Sequence, residues 1–212
     1  MVNTDSCLKN TYGYFFIAII ILIIGIYIAT KLKLPYLNGI WSYLIIFIII
    51  LVLLFWMMKL SPGIPKYIIA IILLLLLGYF LAPIIIELTQ AEIWKFALLT
   101  LLFVGLLTIV AFIAPKDYFL SWGKILFILL ILIFIIGIIA LFIFPKRNFI
   151  IFYFLLVLAI FGGFVLFDTQ LIIQTCQTLS KTNISPDYIN LATGLFLDAL
   201  NIFVATTGLG TT

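Results

Sequence analysis

The chain has 212 residues, of which 67% are hydrophobic and 8% charged, with a formal charge of +4 and no histidine. Soluble domains carry about 25% charged residues, so this chain has too little polar surface to face water and lipid must be its main solvent. The thin, scattered positive charge excludes a nucleic-acid footprint, and the lack of histidine argues against a zinc or haem centre.

The charges divide the sequence into apolar runs. Lys9 to Lys31 encloses 21 uncharged residues, Lys33 to Lys59 encloses 25, and Lys66 to Glu87 encloses 20. Lys95 to Lys116 encloses 20, Lys124 to Lys146 encloses 21, and Arg147 to Asp168 encloses 20. A seventh run follows Asp187 and is interrupted once, by Asp198. A helix needs about 20 residues to cross about 30 Å of hydrocarbon. The spacing therefore predicts an all-α membrane protein with seven transmembrane helices, at 12–30, 38–58, 66–86, 94–114, 122–144, 149–174 and 187–209. All lie in one polytopic domain covering 1–212. The first run reads as a retained span, since the charges of Asp5 and Lys9 cancel before it and no small-residue cleavage site follows.

Pro35, Pro62, Pro65, Pro115, Pro145 and Pro186 fall in the expected connections, and Pro83 falls near a helix end, where lipid tolerates a kink. Trp41, Trp56, Trp94 and Trp122 all lie at span ends, as an interfacial belt requires. Orientation stays open. With the N-terminus inside, six basic residues face in and five face out, which is no bias. Cys7 and Cys176 are too few for a disulfide framework or metal site by spacing and read as small apolar residues.

The chemistry collects in the last two spans. Gly194, Asp198, Asn201, Ala205 and Gly208 recur at helical spacing and make one small, polar stripe. Such a stripe lets neighbours approach closely and marks the last helix as central in the bundle, through packing or as a pore lining. Asp168 lies in the sixth span. If that helix ends near Cys176, and the next begins near Asp187, both carboxylates sit at similar depth, roughly 12 and 17 Å from the shared end. Ionisable residues in a membrane are costly and default to function.

Two carboxylates meeting in low dielectric cannot both ionise cheaply. They would titrate as a coupled pair, and one shared proton would make a strong hydrogen bond between the helices. Loss of that proton would push the helices apart, which makes the pair a pH sensor and gate. With no base in the interior of any span, away from its ends, the natural visitor is a cation. Oxygen ligands favour a hard ion such as Ca²⁺. Asp168, Asp198 and Asn201 fall short of the roughly six to eight oxygens of a tight site, so weak binding and passage are expected, with no cofactor. Lys59 at the end of the second span is a candidate latch by snorkelling, and Glu87 a candidate entrance or an interfacial charge. Gln170, Gln174, Gln177 and Lys181 read as the wet face where the sixth helix leaves the membrane. Asp5, Asp117 and Asp187 read as solvated loop charges, and Gly162-Gly163 as a packing site.

The segment Gly163-Phe-Val-Leu-Phe-Asp168-Thr-Gln-Leu-Ile-Ile173 resembles the signature of the Bax inhibitor-1 family. Asp187-Tyr-Ile and Leu195-Phe-Leu-Asp198 resemble that family's last helix, and Trp56-Met-Met and Ala82-Pro83…Glu87 add weaker similarity. The resemblance implies a pH-dependent calcium leak channel whose paired aspartates fall on Asp168 and Asp198. It implies suppression of cell death, and membrane-protein partners in that process. The implied site is the endoplasmic reticulum or Golgi membrane in a eukaryotic or viral setting, and the plasma membrane in a bacterial one. Two departures stand out: the second helix lacks the arginine that latches the pair in some relatives, and the chain ends Gly208-Leu-Gly-Thr-Thr212 without the basic tail of animal members. The linker around Thr178 to Ser185 also looks lengthened.

No enzyme is expected. An intramembrane aspartyl protease also places one aspartate on each of two helices, but its second motif resembles Gly-x-Gly-Asp, unlike Gly194-Leu-Phe-Leu-Asp198. A non-conducting scaffold that binds other membrane proteins is the other alternative.

Overall fold

A computed structural model describes residues 3–32, 40–143, 146–182 and 186–211. Among them all regular structure is helical. The order is α1 (Thr4–Lys31), α2 (Ile40–Lys59), α3 (Ile64–Ile86), α4 (Gln90–Ile113), a 3₁₀ turn (Phe119–Trp122), α5 (Gly123–Ile143), α6 (Arg147–Thr182) and α7 (Tyr188–Thr211). All seven α-helices are long and apolar enough to span a membrane, as the charge spacing predicts. Lys33, Pro35, Pro145, the outer ends of the second and fifth expected spans and residues 183–185 of the linker lie outside the described residues.

The isoleucine-rich runs would resist helix formation in water, where β-branching lowers helix propensity. In lipid that preference is overridden, because only a helix satisfies each backbone group within its own segment. Local signals set the ends. Pro65 opens α3 inside its first turn rather than in the preceding connection; the first helical positions need no N–H donor. Thr89 and Glu92 form a capping box at α4. The Glu92 carboxylate accepts from the Thr89 N–H at 2.8 Å, and the Thr89 hydroxyl accepts from the Glu92 N–H at 3.3 Å. Asp117 takes φ 60°, a left-handed turn conformation that aspartate tolerates.

Two helices exceed their expected bounds by eight residues at one end. α1 starts at Thr4 rather than 12, and α6 runs to Thr182 rather than 174. Hydropathy marks only the part in hydrocarbon, whereas helical hydrogen bonding continues into the polar flanks. At 36 residues α6 is about 54 Å long, well beyond a bilayer core.

The chain forms two compact units. The first contains Met1–Leu8, Trp94–Ser185 and Thr193–Thr212, and the second Lys9–Ile93 and Pro186–Ala192. In the second, α1 and α3 cross at Gly25 and Gly78. A Cβ at Gly25 would stand 2.8 Å from the Leu75 carbonyl oxygen, and one at Gly78 would stand 2.6 Å from that of Leu22. Only glycine permits that backbone contact. In the first unit, Ile133, Val157, Ile160 and Ala205 form a buried cluster joining α5, α6 and α7. Gly162 and Gly163 receive side chains from α4 and α5, Leu107 and Leu126 respectively, as expected of a packing site. Trp41, Trp56, Trp94 and Trp122 are all exposed near helix ends. The exposed isoleucines, leucines and phenylalanines of α1 to α6 are faces for lipid.

The first unit also joins Cys7 to Cys176 in a disulfide, with Cα atoms 5.6 Å apart. This corrects the reading of both as plain apolar residues. Their separation of 169 residues hid the pairing, which depends on the polar ends of α1 and α6 remaining helical.

A candidate site of paired carboxylates on α6 and α7

From Tyr188 to Leu209 no residue of α7 is exposed, in contrast to every other helix. Its stripe serves several neighbours. Gly194 lies against Asp168: a Cβ there would overlap Asp168 Oδ2 and stand 3.0 Å from its Cγ. Asp198 follows one turn later on α7, so the two carboxyl groups are neighbours across the α6–α7 contact. Asp198 is 5% exposed, between Leu195 and Ile202, which are fully buried. Val165, Thr169 and Ile172 close the α6 side around half-buried Asp168. Among the described residues no N–H or hydroxyl reaches the buried Asp198 Oδ2. Two carboxylates offer only acceptors, so a hydrogen bond between them needs a proton on one of the two.

The two carboxylates sit at similar depth, as expected, although α6 ends later than its polarity suggests. Asp168 is 14 residues from the end of α6 and Asp198 is 10 residues from the start of α7, or about 21 and 15 Å. Only the end of α6 differs from the expectation, at Thr182 rather than near Cys176; α7 begins at Tyr188, next to the expected Asp187.

Other stripe residues lie apart from the carboxylates. Asn201 turns back on its own helix, its Nδ2 donating to the Leu197 carbonyl at 2.7 Å. Ala205 is in the apolar cluster described above, and Gly208 accommodates the Phe154 ring. Lys59 is exposed, with its ammonium 5.4 Å from the centre of the Phe55 ring. Glu87 caps the end of α3 and is also exposed.

Two polar groups depart from their expected roles. Gln170 is not on a wet face. It is buried, its Oε1 accepting from the Phe119 N–H at 2.7 Å and its Nε2 donating to the Pro115 carbonyl at 3.0 Å. It satisfies backbone groups where α4 turns into α5, which a sequence reading of polarity misses. Gln174 and Lys181 are exposed, as expected. Asp187 is not a solvated loop charge either. In the second unit it pairs with Lys66, which is fully buried and also donates to the Leu60 carbonyl at 3.0 Å. Asp187 Oδ1 accepts from the Asn190 N–H at 3.2 Å, capping α7, and Asn190 Nδ2 donates to the Met58 carbonyl at 3.1 Å. An Asp three residues before Asn at a helix start was the available signal for the cap. Nothing in the sequence pointed to the partner lysine.

Seven apolar helices, with two neighbouring carboxyls between the last two, define a polytopic helical membrane protein. The family model described as "Inhibitor of apoptosis-promoting Bax1" matches residues 4–207. The chain belongs to that Bax inhibitor family, a non-enzymatic family of anti-apoptotic membrane proteins. No individual curated protein matches it.

Proposed function

We propose that the protein is a pH-sensitive calcium leak channel of an intracellular membrane, endoplasmic reticulum or Golgi, that restrains cell death together with other membrane proteins of that process. The observation that carries this reading is the packing of the Asp168 carboxyl on Gly194 of α7, one turn from buried Asp198. At low pH one shared proton holds the helices together. As pH rises that proton leaves, two negative charges face each other in low dielectric, and the helices separate. The ionised pair then offers a weak, oxygen-only site to Ca²⁺, and weak binding lets the ion leave again. Flux therefore increases with pH.

The test is Ca²⁺ flux into liposomes containing the purified chain, measured from pH 5 to 8. Wild type is compared with Asp168→Asn, Asp198→Asn and the double variant. Each amide keeps a hydrogen bond but has no proton to lose, so flux is expected to stay low and to vary less than twofold over this range. Variants with wild-type flux and wild-type pH dependence would sink the gate. Wild-type protein with no flux at all would favour a non-conducting scaffold.

A further inference from the structure

Cys7 lies one turn into α1, and Cys176 lies six residues before the end of α6. Both are fully buried and bonded to each other. A second link sits beside them: the Thr4 hydroxyl donates to Ser180 Oγ at 3.2 Å, and the Ser180 hydroxyl donates to the Gln177 carbonyl at 2.9 Å. This end of α6 exceeds the length of a span and bears exposed Gln174 and Lys181, so it stands outside the hydrocarbon. The first turns of α1 are polar, with Asp5, Ser6 and Lys9 exposed, as is Asn3 just before the helix. Water replaces a hydroxyl–hydroxyl bond readily, whereas the S–S bond is a covalent link between these two segments.

We propose that Cys7–Cys176 is a thiol–disulfide exchange site for a dithiol reductant, and that its state decides whether the start of α1 is docked on the end of α6. A dithiol thiolate attacks one sulfur, the S–S bond breaks, and the departing thiolate takes up a proton. The second thiol of the reductant then resolves the mixed disulfide. Two electrons pass to the protein, leaving Cys7 and Cys176 as thiols and the reductant as a disulfide. Because both sulfurs are buried, attack waits for the first turn of α1 to fray, so the exchange rate levels off at high dithiol concentration. Cys176 is eight residues, about 12 Å along the helix, from Asp168. On the channel reading above, on which this last step rests, an undocked α6 end lets Asp168 part from Asp198 more readily.

Hydrogen–deuterium exchange on the full chain in nanodiscs, with and without dithiothreitol, tests the site. A Cys7–Cys176 peptide is expected under non-reducing conditions. Reduction is expected to speed exchange at residues 3–8 and 174–182 at least tenfold, leaving α4 and α5 unchanged, and Cys7→Ser is expected to match reduced wild type. Free thiols in protein isolated with rapid alkylation, or equal protection in both states, would overturn the proposal. Should Cys7→Ser not fold, the reduced wild type alone decides. In liposomes that conduct, flux is expected to rise severalfold on reduction. Equal flux would refute the coupling to Asp168, and no flux in either state alongside tenfold faster exchange would refute the channel while supporting the exchange site.

Discussion

Gly194 shows how one missing methyl group shapes the site. Asp168 reaches the α7 backbone where a Cβ would otherwise stand, so the pair depends on an absence as much as on its carboxyls. Gly194→Ala is expected to turn Asp168 aside, at an overpacking cost of about 1 to 3 kcal/mol. It should flatten the pH dependence of flux while far-ultraviolet circular dichroism keeps its helical signal. A wild-type pH profile in that variant would show that Asp168 need not rest on α7. The aspartates themselves were legible in the sequence because charge inside an apolar run is conspicuous. Their contact was not, since a side chain's partner depends on helix rotation.

At the scale of elements, the start of α7 is held by more than its own cap. Asp187 accepts from Asn190 within the helix and pairs with buried Lys66 at the start of α3. Removing one partner of a buried ion pair is worse than removing both, because the remaining charge is stranded. Lys66→Met is expected to destabilise the protein by about 3 kcal/mol, seen as a lower melting temperature in detergent. The double change Lys66→Met with Asp187→Leu should recover most of the loss. Equal melting temperatures for wild type and Lys66→Met would mean that the pair is not holding α7. The same scale explains the misread Gln170: its bonds go to the turn between α4 and α5, distant in sequence, so its spacing with Gln174 looked like solvent exposure.

For the whole molecule, seven crossings put the two ends of α7 on opposite faces of the membrane. They also put the start of α1 on the same face as the end of α6, which the Cys7–Cys176 bond requires. With both native cysteines changed to serine, single cysteines at Ser6 and Thr211 are expected to react with an impermeant thiol reagent from opposite faces. Labelling of both from one face would mean that one apolar helix does not cross. The sequence by itself determined the solvent, the number of spans and the two costly carboxylates, because lipid leaves a chain this apolar few choices beyond helices about 20 residues long. Tertiary structure decided which groups meet: Asp168 with Asp198, Lys66 with Asp187, and Cys7 with Cys176. Those pairings depend on helix rotation and on how far the helices extend past the bilayer, and hydropathy along a single chain carries neither.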